Sequence, residues 1–204
     1  MKTITDLKPQ TKNKKRVSIF LDGSYYCGLD LLTATKYRLK IGQQIEERRL
    51  IEIQFAAEYQ AAFDSAINFI SKSVKTEKQV KDKLILKGYL PEIVDKAILK
   101  LKEYGYVDDG DYSSRYVSTY KATKGKLLIK NELRRKGVSE AQTAEALSEI
   151  ESQAEAAKAI AEKYLKNKEK DKKNLLKCYK YLLSKGFDYD DAKSAIESFS
   201  IDLE

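Results

Sequence analysis

The sequence predicts an all-α protein of three tandem three-helix repeats, stacked into an elongated array and preceded by a small extension with a β-hairpin and a helix. Three observations predict it. The phrase Leu-x-x-Lys-Gly-apolar begins at Leu84, Leu133 and Leu182, so Gly88, Gly137 and Gly186 stand 49 residues apart each time, with no insertion. Apolar residues flank each copy at steps of three and four, the spacing of one helical face. The 204 residues include only 9 glycines and 2 prolines, too few breakers for an all-β chain with many tight turns.

Taken in order, residues 1–12 are polar and expected to fray. Two β-prone runs, 17–21 and 25–29, flank Asp22-Gly23-Ser24 and read as a hairpin, since Asp-Gly between such runs favours a tight turn. A helical stretch from about residue 43 runs on toward the repeats, which places the extension at 1–57. Counting in 49s from the C-terminus places the repeats at 58–106, 107–155 and 156–204. Each opens with a helical stretch, at 59–71, 112–120 and 156–165.

The second helix of each repeat ends at Lys-Gly. Val80 and Leu84, Ile129 and Leu133, and Cys178 and Leu182 form its apolar face. The third helix carries Ile98 and Leu101, Leu147 and Ile150, or Ile196 and Phe199. The glycine suits the left-handed position just past a helix end, where a side chain would clash, and the next residue (Tyr89, Val138 or Phe187) packs back on the last turn. Thr76 to Gln79 and Ser139 to Gln142 have the capping-box form. Asp188 is a cap for the third repeat, and Pro91 sits where a helix start tolerates its missing N–H. A unit this small buries little surface alone, so neighbours are expected to stack.

Composition excludes several chemistries. With no histidine, there is no Ser-His-Asp or Cys-His catalysis and no His-ligated zinc. Cys27 and Cys178 are too few for a four-thiolate zinc site, and they read as reduced, semi-buried residues rather than a disulfide. No apolar run reaches the length of a membrane span, and the N-terminus lacks the apolar core of a signal peptide. The expectation is a cytoplasmic, monomeric, non-enzymatic protein with no cofactor, no metal and no membrane partner.

The net charge of +8 is unevenly placed. Residues 72–136 carry 17 basic and 9 acidic groups, whereas residues 137–157 carry five acids and no base. The densest run holds Lys121, Lys124, Lys126, Lys130, Arg134, Arg135 and Lys136 against Glu132 alone. Lys126, Lys130 and Arg134, four apart, form a stripe on one helix face whose like charges repel. A polyanion or an acidic protein surface would relieve that repulsion, and a plain solvated face is the bland reading. Lys81, Lys87 and Arg115 complete the candidate partner- or nucleic-acid-binding cations. Tyr112, Tyr116 and Tyr120 could stack on bases, but their helical spacing favours packing with the hydroxyls at the surface. Asp108, Asp109 and Asp111 lack the later glutamate of a calcium loop and read as a helix cap.

The phrase Tyr104-Gly105-Tyr106-Val107-Asp108-Asp109, followed by Tyr112, Tyr116-Val117 and Glu132-Leu133-Arg134-Arg135-Lys136-Gly137, resembles the RecX family, regulators of the RecA recombinase. Thr76-Glu77 through Lys83-Leu84 is similar to that family's first module, and the hairpin to the N-terminal extension of its longer members. The resemblance spans about residues 16–204. Many members have arginines at or near positions 120 and 122, where this chain offers Lys121 and Lys124, which keep the charge without the bidentate fork. The resemblance implies a curved molecule that binds in the groove of the RecA–single-stranded DNA filament. It further implies inhibition of RecA's ATPase, strand exchange and co-protease activities in recombination, repair and the SOS response. The charge pattern leaves a second reading open, a sequence-independent binder of single- or double-stranded DNA.

Overall fold

The N-terminal segment forms a strand rather than fraying. In the computed structural model, which describes residues 1–11 and 14–200, β1 (Lys2–Pro9) pairs antiparallel with β2 (Arg16–Leu21). The sequence hides this strand because Ile4 and Leu7 are its only apolar members, yet Ile4 is fully buried in the core. β2 turns into β3 (Ser24–Asp30) through Asp22 and Gly23, both at positive φ (49° and 87°), the pairing that a twisted two-residue hairpin requires. After α1 (Leu31–Lys36), the short β4 (Gln44–Ile45) closes a sheet of order β3-β2-β1-β4. Ile4, Val17, Ile19, Leu21, Cys27 and Leu29 all bury on one face, where Leu50 and Ile53 of α2 (Glu47–Ile70) join them. α2 starts at Glu47, later than residue 43, and runs unbroken past residue 58.

Two compact units result: residues 1–72 with 81–103, and residues 73–80 with 104 onward. In the first, α2 packs against α4 (Pro91–Glu103). The buried Ile93, Val94, Ala97, Ile98 and Leu101 form one face of α4. α3 (Glu77–Leu86) precedes it.

The second unit holds two three-helix sets. α5 (Asp109–Tyr120), α6 (Lys126–Arg135) and α7 (Glu140–Ser148) enclose Val117, Ile129, Leu133, Val138, Ala146 and Ile150. α8 (Ala154–Leu165), α9 (Lys172–Ser184) and α10 (Tyr189–Ser200) enclose a second cluster, with Cys178, Leu182 and Phe187 near its centre. The main pairings join first to third helix in all three sets: α2 with α4, α5 with α7, α8 with α10. Both cysteines are free and buried.

The repeated glycines sit at φ of 88°, 90° and 84°. Around each, the glycine N–H reaches back three residues and the next N–H reaches back five, for example Gly137 N to Arg134 O (3.0 Å) and Val138 N to Leu133 O (3.1 Å). That is the Schellman closure of a helix end. The caps form as well. Thr76 Oγ1 accepts from Gln79 N while Gln79 Oε1 accepts from Thr76 N, and Asp188 Oδ1 accepts from Asp191 N. Ser139 Oγ accepts from Gln142 N but spends its own proton on Gln142 Oε1.

The 49-residue register reappears as a repeated joint. Thr76 Oγ1 donates to Lys136 O (2.6 Å), and a methyl group added to Gly137 would strike Lys78 Cβ at 2.4 Å. Forty-nine residues on, Gly125 N donates to Lys185 O (2.9 Å) and Leu127 N to Gly186 O (3.1 Å), while a Cβ on Gly186 would meet Leu128 N at 2.3 Å. A helix start thus seats on a Lys-Gly turn twice. The helix-start N–H is satisfied differently at each joint: Glu77 N donates to Asp109 Oδ1 and Lys126 N to Gln153 Oε1, both at 2.8 Å. Both ends of α6 are thereby fixed.

Candidate partner-binding surface

α6 and the loop before it carry most of the candidate cations, and the fold uses several of them internally. Lys124 is half-buried, with its side chain 23% exposed. Its ammonium donates to both oxygens of Glu132, at 2.9 and 2.7 Å, and lies 4.0 Å from the centre of the Tyr120 ring. Tyr116 donates its hydroxyl to the same carboxylate at 2.7 Å. Tyr112, Tyr116 and Tyr120 line one face of α5, with neighbouring ring centres 5.9 and 4.5 Å apart. Lys136 covers them from the other end, 5.4 Å from Tyr116. The tyrosines therefore pack as a wall against the repeat core, and Tyr116 has its hydroxyl committed to Glu132.

Electrostatics follow from this packing. Burial pushes the Tyr116 phenol up, and its bond to Glu132 adds to the shift. Burial also pushes the Glu132 carboxyl up, but the bonds from Lys124 and Tyr116 and the charges of Lys124 and Arg135 outweigh it and hold the carboxyl below its ordinary value.

Sequence spacing did not show where the acidic segment goes. Lys130 Nζ pairs with Glu140 Oε1 at 2.8 Å, which lowers the Glu140 carboxyl, and Lys126 Nζ reaches the Glu151 carbonyl at 3.3 Å. The stripe is thus partly neutralised by residues that follow it. Gln153, almost fully buried, donates from Nε2 to the carbonyls of Lys121 (2.7 Å) and Lys124 (2.9 Å) and accepts from Lys126 N. It clamps the loop that leads into α6. Glu132 and Gln153 are the residues that sequence reasoning missed. An isolated acid in a basic run is a visible signal for the first, and nothing in the sequence marks the second.

Arg134 and Arg135, in the last turn of α6, are exposed, and among the described residues neither forms an ion pair. Lys121 is exposed at the end of α5. Arg115 pairs with Asp111 at 2.8 Å on the same helix. Lys81 pairs with Asp95 (3.1 Å), and Lys87 donates to Ser65 Oγ (2.6 Å); both lysines lie in the first unit. Asp108 caps α5, accepting from Gly110 N and Asp111 N. Among the described residues no acidic or thiol cluster could hold a metal ion, and no helix is long and apolar enough to cross a membrane.

Four family models match in order along the chain: the regulatory protein RecX N-terminal domain at 2–46 and the RecX first, second and third three-helix domains at 62–108, 108–147 and 151–196. The chain belongs to the RecX family. It is 36% identical over 203 residues to the regulatory protein RecX of Clostridium botulinum (strain Alaska E43 / Type E3), covering 97% of this chain and 96% of that one. It is 34% identical to the RecX of Bacillus subtilis (strain 168), covering 97% of this chain and 77% of that one. A crystal structure of regulatory protein RecX superposes with a TM-score of 0.68 at 28% identity, covering 95% and 98% of the two chains. RecX from Lactobacillus salivarius gives 0.66 at 28% identity, covering 72% and 99%. In RecX terms the tyrosine wall, α6 and its acidic partners belong to the second three-helix domain and the segment that leaves it.

Proposed function

We propose that this protein is a cytoplasmic, non-catalytic regulator of RecA. It binds the RecA–single-stranded DNA filament and suppresses its ATPase, strand exchange and co-protease activities, either by blocking extension or by promoting disassembly. It works as a monomer, with repeats at 58–106, 107–155 and 156–204. The observation that carries this reading is the full ordered set of RecX domains. The cations support a protein-directed surface over a bare nucleic-acid groove. Lys124, Lys126, Lys130 and Lys136 are held by the fold's own carboxylate, carbonyl and aromatic groups, which leaves Arg134, Arg135 and Lys121 to meet a partner. Arginine's planar fork suits carboxylates as well as phosphates.

Co-sedimentation with preformed filaments and gel shifts on bare DNA at low and physiological salt test it. The double substitution Arg134→Glu and Arg135→Glu should weaken filament binding and leave helical content unchanged. Filament binding equal to wild type would remove the last turn of α6 from the interface. Equal affinity for bare DNA and filament, falling steeply with salt, would favour sequence-independent DNA binding instead.

A further inference from the structure

The lysines of the third three-helix set stay open where those of the second are engaged. Residues 163–185 hold nine lysines and only two acids, Glu169 and Asp171. Asp171 is committed to capping α9, where its carboxylate accepts from Asn174 N at 2.7 Å. Lys163, Lys166, Lys172, Lys173, Lys177 and Lys180 are exposed, and among the described residues none of them forms an ion pair. Around α6, by contrast, Glu132 holds Lys124 and Glu140 holds Lys130.

α9 gathers four of these charges on one side. At about 100° per residue, Lys172, Lys173, Lys177 and Lys180 fall within about 140° of its surface and along about 12 Å of its length. The opposite side carries the buried Leu175, Cys178 and Leu182. This placement works against the helix. Lys173 and Lys177 are four apart and Lys177 and Lys180 three apart, so their charges repel. Lys172 and Lys173 also sit in the first turn, which holds no acid and where the helix dipole disfavours cations. A polyanion lying along the face relieves both effects.

The make-up of the face selects among polyanions. Between Lys172 and Lys180 its exposed apolar residue is Leu176 alone, 53% exposed, whereas the centre of a protein–protein interface is apolar and depleted in lysine. No arginine follows Arg135 in the chain, so the face has no planar fork for a carboxylate. Compact ammonium groups on flexible stems suit phosphates, which they neutralise without reading the bases. We propose that this face of α9 binds the phosphate backbone of DNA, whatever its sequence. It differs in chemistry from the exposed arginines at the end of α6. It also stands or falls apart from the regulation of RecA, because bare DNA tests it and filament binding tests that reading.

The probe is a short single-stranded DNA in two unrelated sequences, titrated with the full-length protein between about 50 and 200 mM salt and followed by fluorescence anisotropy. Both sequences should bind alike, with affinity that falls steeply as salt rises. Lys172→Gln, Lys173→Gln, Lys177→Gln and Lys180→Gln together should weaken binding about tenfold or more at low salt and flatten the log–log salt slope by about 2–3, roughly 0.7 for each lost phosphate contact. Glutamine matches lysine in helix propensity, so this variant should melt no lower than wild type. As a control, the exposed Lys2, Lys14, Lys36 and Lys40 of the N-terminal extension, changed to glutamine together, remove the same charge. That control should leave affinity within about twofold, since charges far from the bound strand are screened. No binding at low salt, or equal losses from the two sets of four, would overturn the proposal. Polyglutamate that competes as well as DNA, charge for charge, would overturn it too, by assigning the face to an acidic protein.

Discussion

Replacing Lys124 by methionine separates an internal cation from a docking one. The Lys124 ammonium sits 2.7 and 2.9 Å from the Glu132 oxygens and 4.0 Å from the Tyr120 ring centre, and the two charged side chains are 23 and 19% exposed. The pair lies between two regimes. Exposed ion pairs contribute about 0–1 kcal/mol, and breaking a buried one by removing a single partner costs about 3–5 kcal/mol. Lys124→Met should therefore cost about 2 kcal/mol, the lost cation–π contact included. For a chain of this size that lowers the melting midpoint by about 4–8 °C.

Glu132→Gln keeps an acceptor for the Tyr116 hydroxyl. The double variant should then recover about 1 kcal/mol of the summed single losses, because no half-buried charge is left alone. The carboxyl adds a pH signature. Its folded pKa lies below the ordinary 4.5, so its contribution is complete above that value and is lost as pH falls through the folded pKa. Wild type should lose stability on acidification below pH 4.5, and Glu132→Gln should flatten that part of the curve. Thermal and urea unfolding followed by far-ultraviolet circular dichroism measure all three variants. A Lys124→Met midpoint within about 1 °C of wild type, with strictly additive singles, would refute the internal role. Weakened filament binding without a stability loss would make Lys124 a contact residue.

Gly125→Ala would set a Cβ 1.9 to 2.0 Å from the backbone of Gly186 and Phe187, so it should destabilise by about 3 kcal/mol although its φ is ordinary; an unchanged melting midpoint would dissolve the second joint. Gly137→Val combines positive φ with a clash on Lys78 and should cost about 1 kcal/mol or more in the same measurement. Burial pushes the thiols of Cys27 and Cys178 up to about 11, so a thiol reagent near neutral pH should label neither until the protein is unfolded; prompt labelling of the native protein would contradict their burial.

The repeat register, the Asp22-Gly23 hairpin and the Thr76 and Asp188 caps were legible because each depends on local chemistry at short spacing. The glycine turns were legible for the same reason, since only a residue without Cβ sits easily at φ near 90°. β1 was not, because a strand held by pairing on both sides needs few apolar residues of its own, and Ile4 does most of that work. The fate of the cations was legible only in part. Lys124 meets Glu132 across the turn at Gly125, eight residues away, a distance that no helical periodicity predicts. Lys130 meets Glu140 across the turn at Gly137, so the acidic stretch that looked like a separate contrast in the sequence folds back as counter-charge. The joints could have been anticipated from the register, because Thr76 and Gly125 are 49 apart, but their hydrogen-bond partners depend on how neighbouring repeats pack.

RecA's DNA-dependent ATP hydrolysis, titrated with this protein at substoichiometric amounts, tests the proposed regulation most directly. Wild type should suppress hydrolysis well below one molecule per RecA subunit, and Arg134→Glu with Arg135→Glu should need several-fold more protein for the same effect while melting like wild type. Undiminished hydrolysis in the presence of excess wild-type protein, with no binding to the filament, would contradict it.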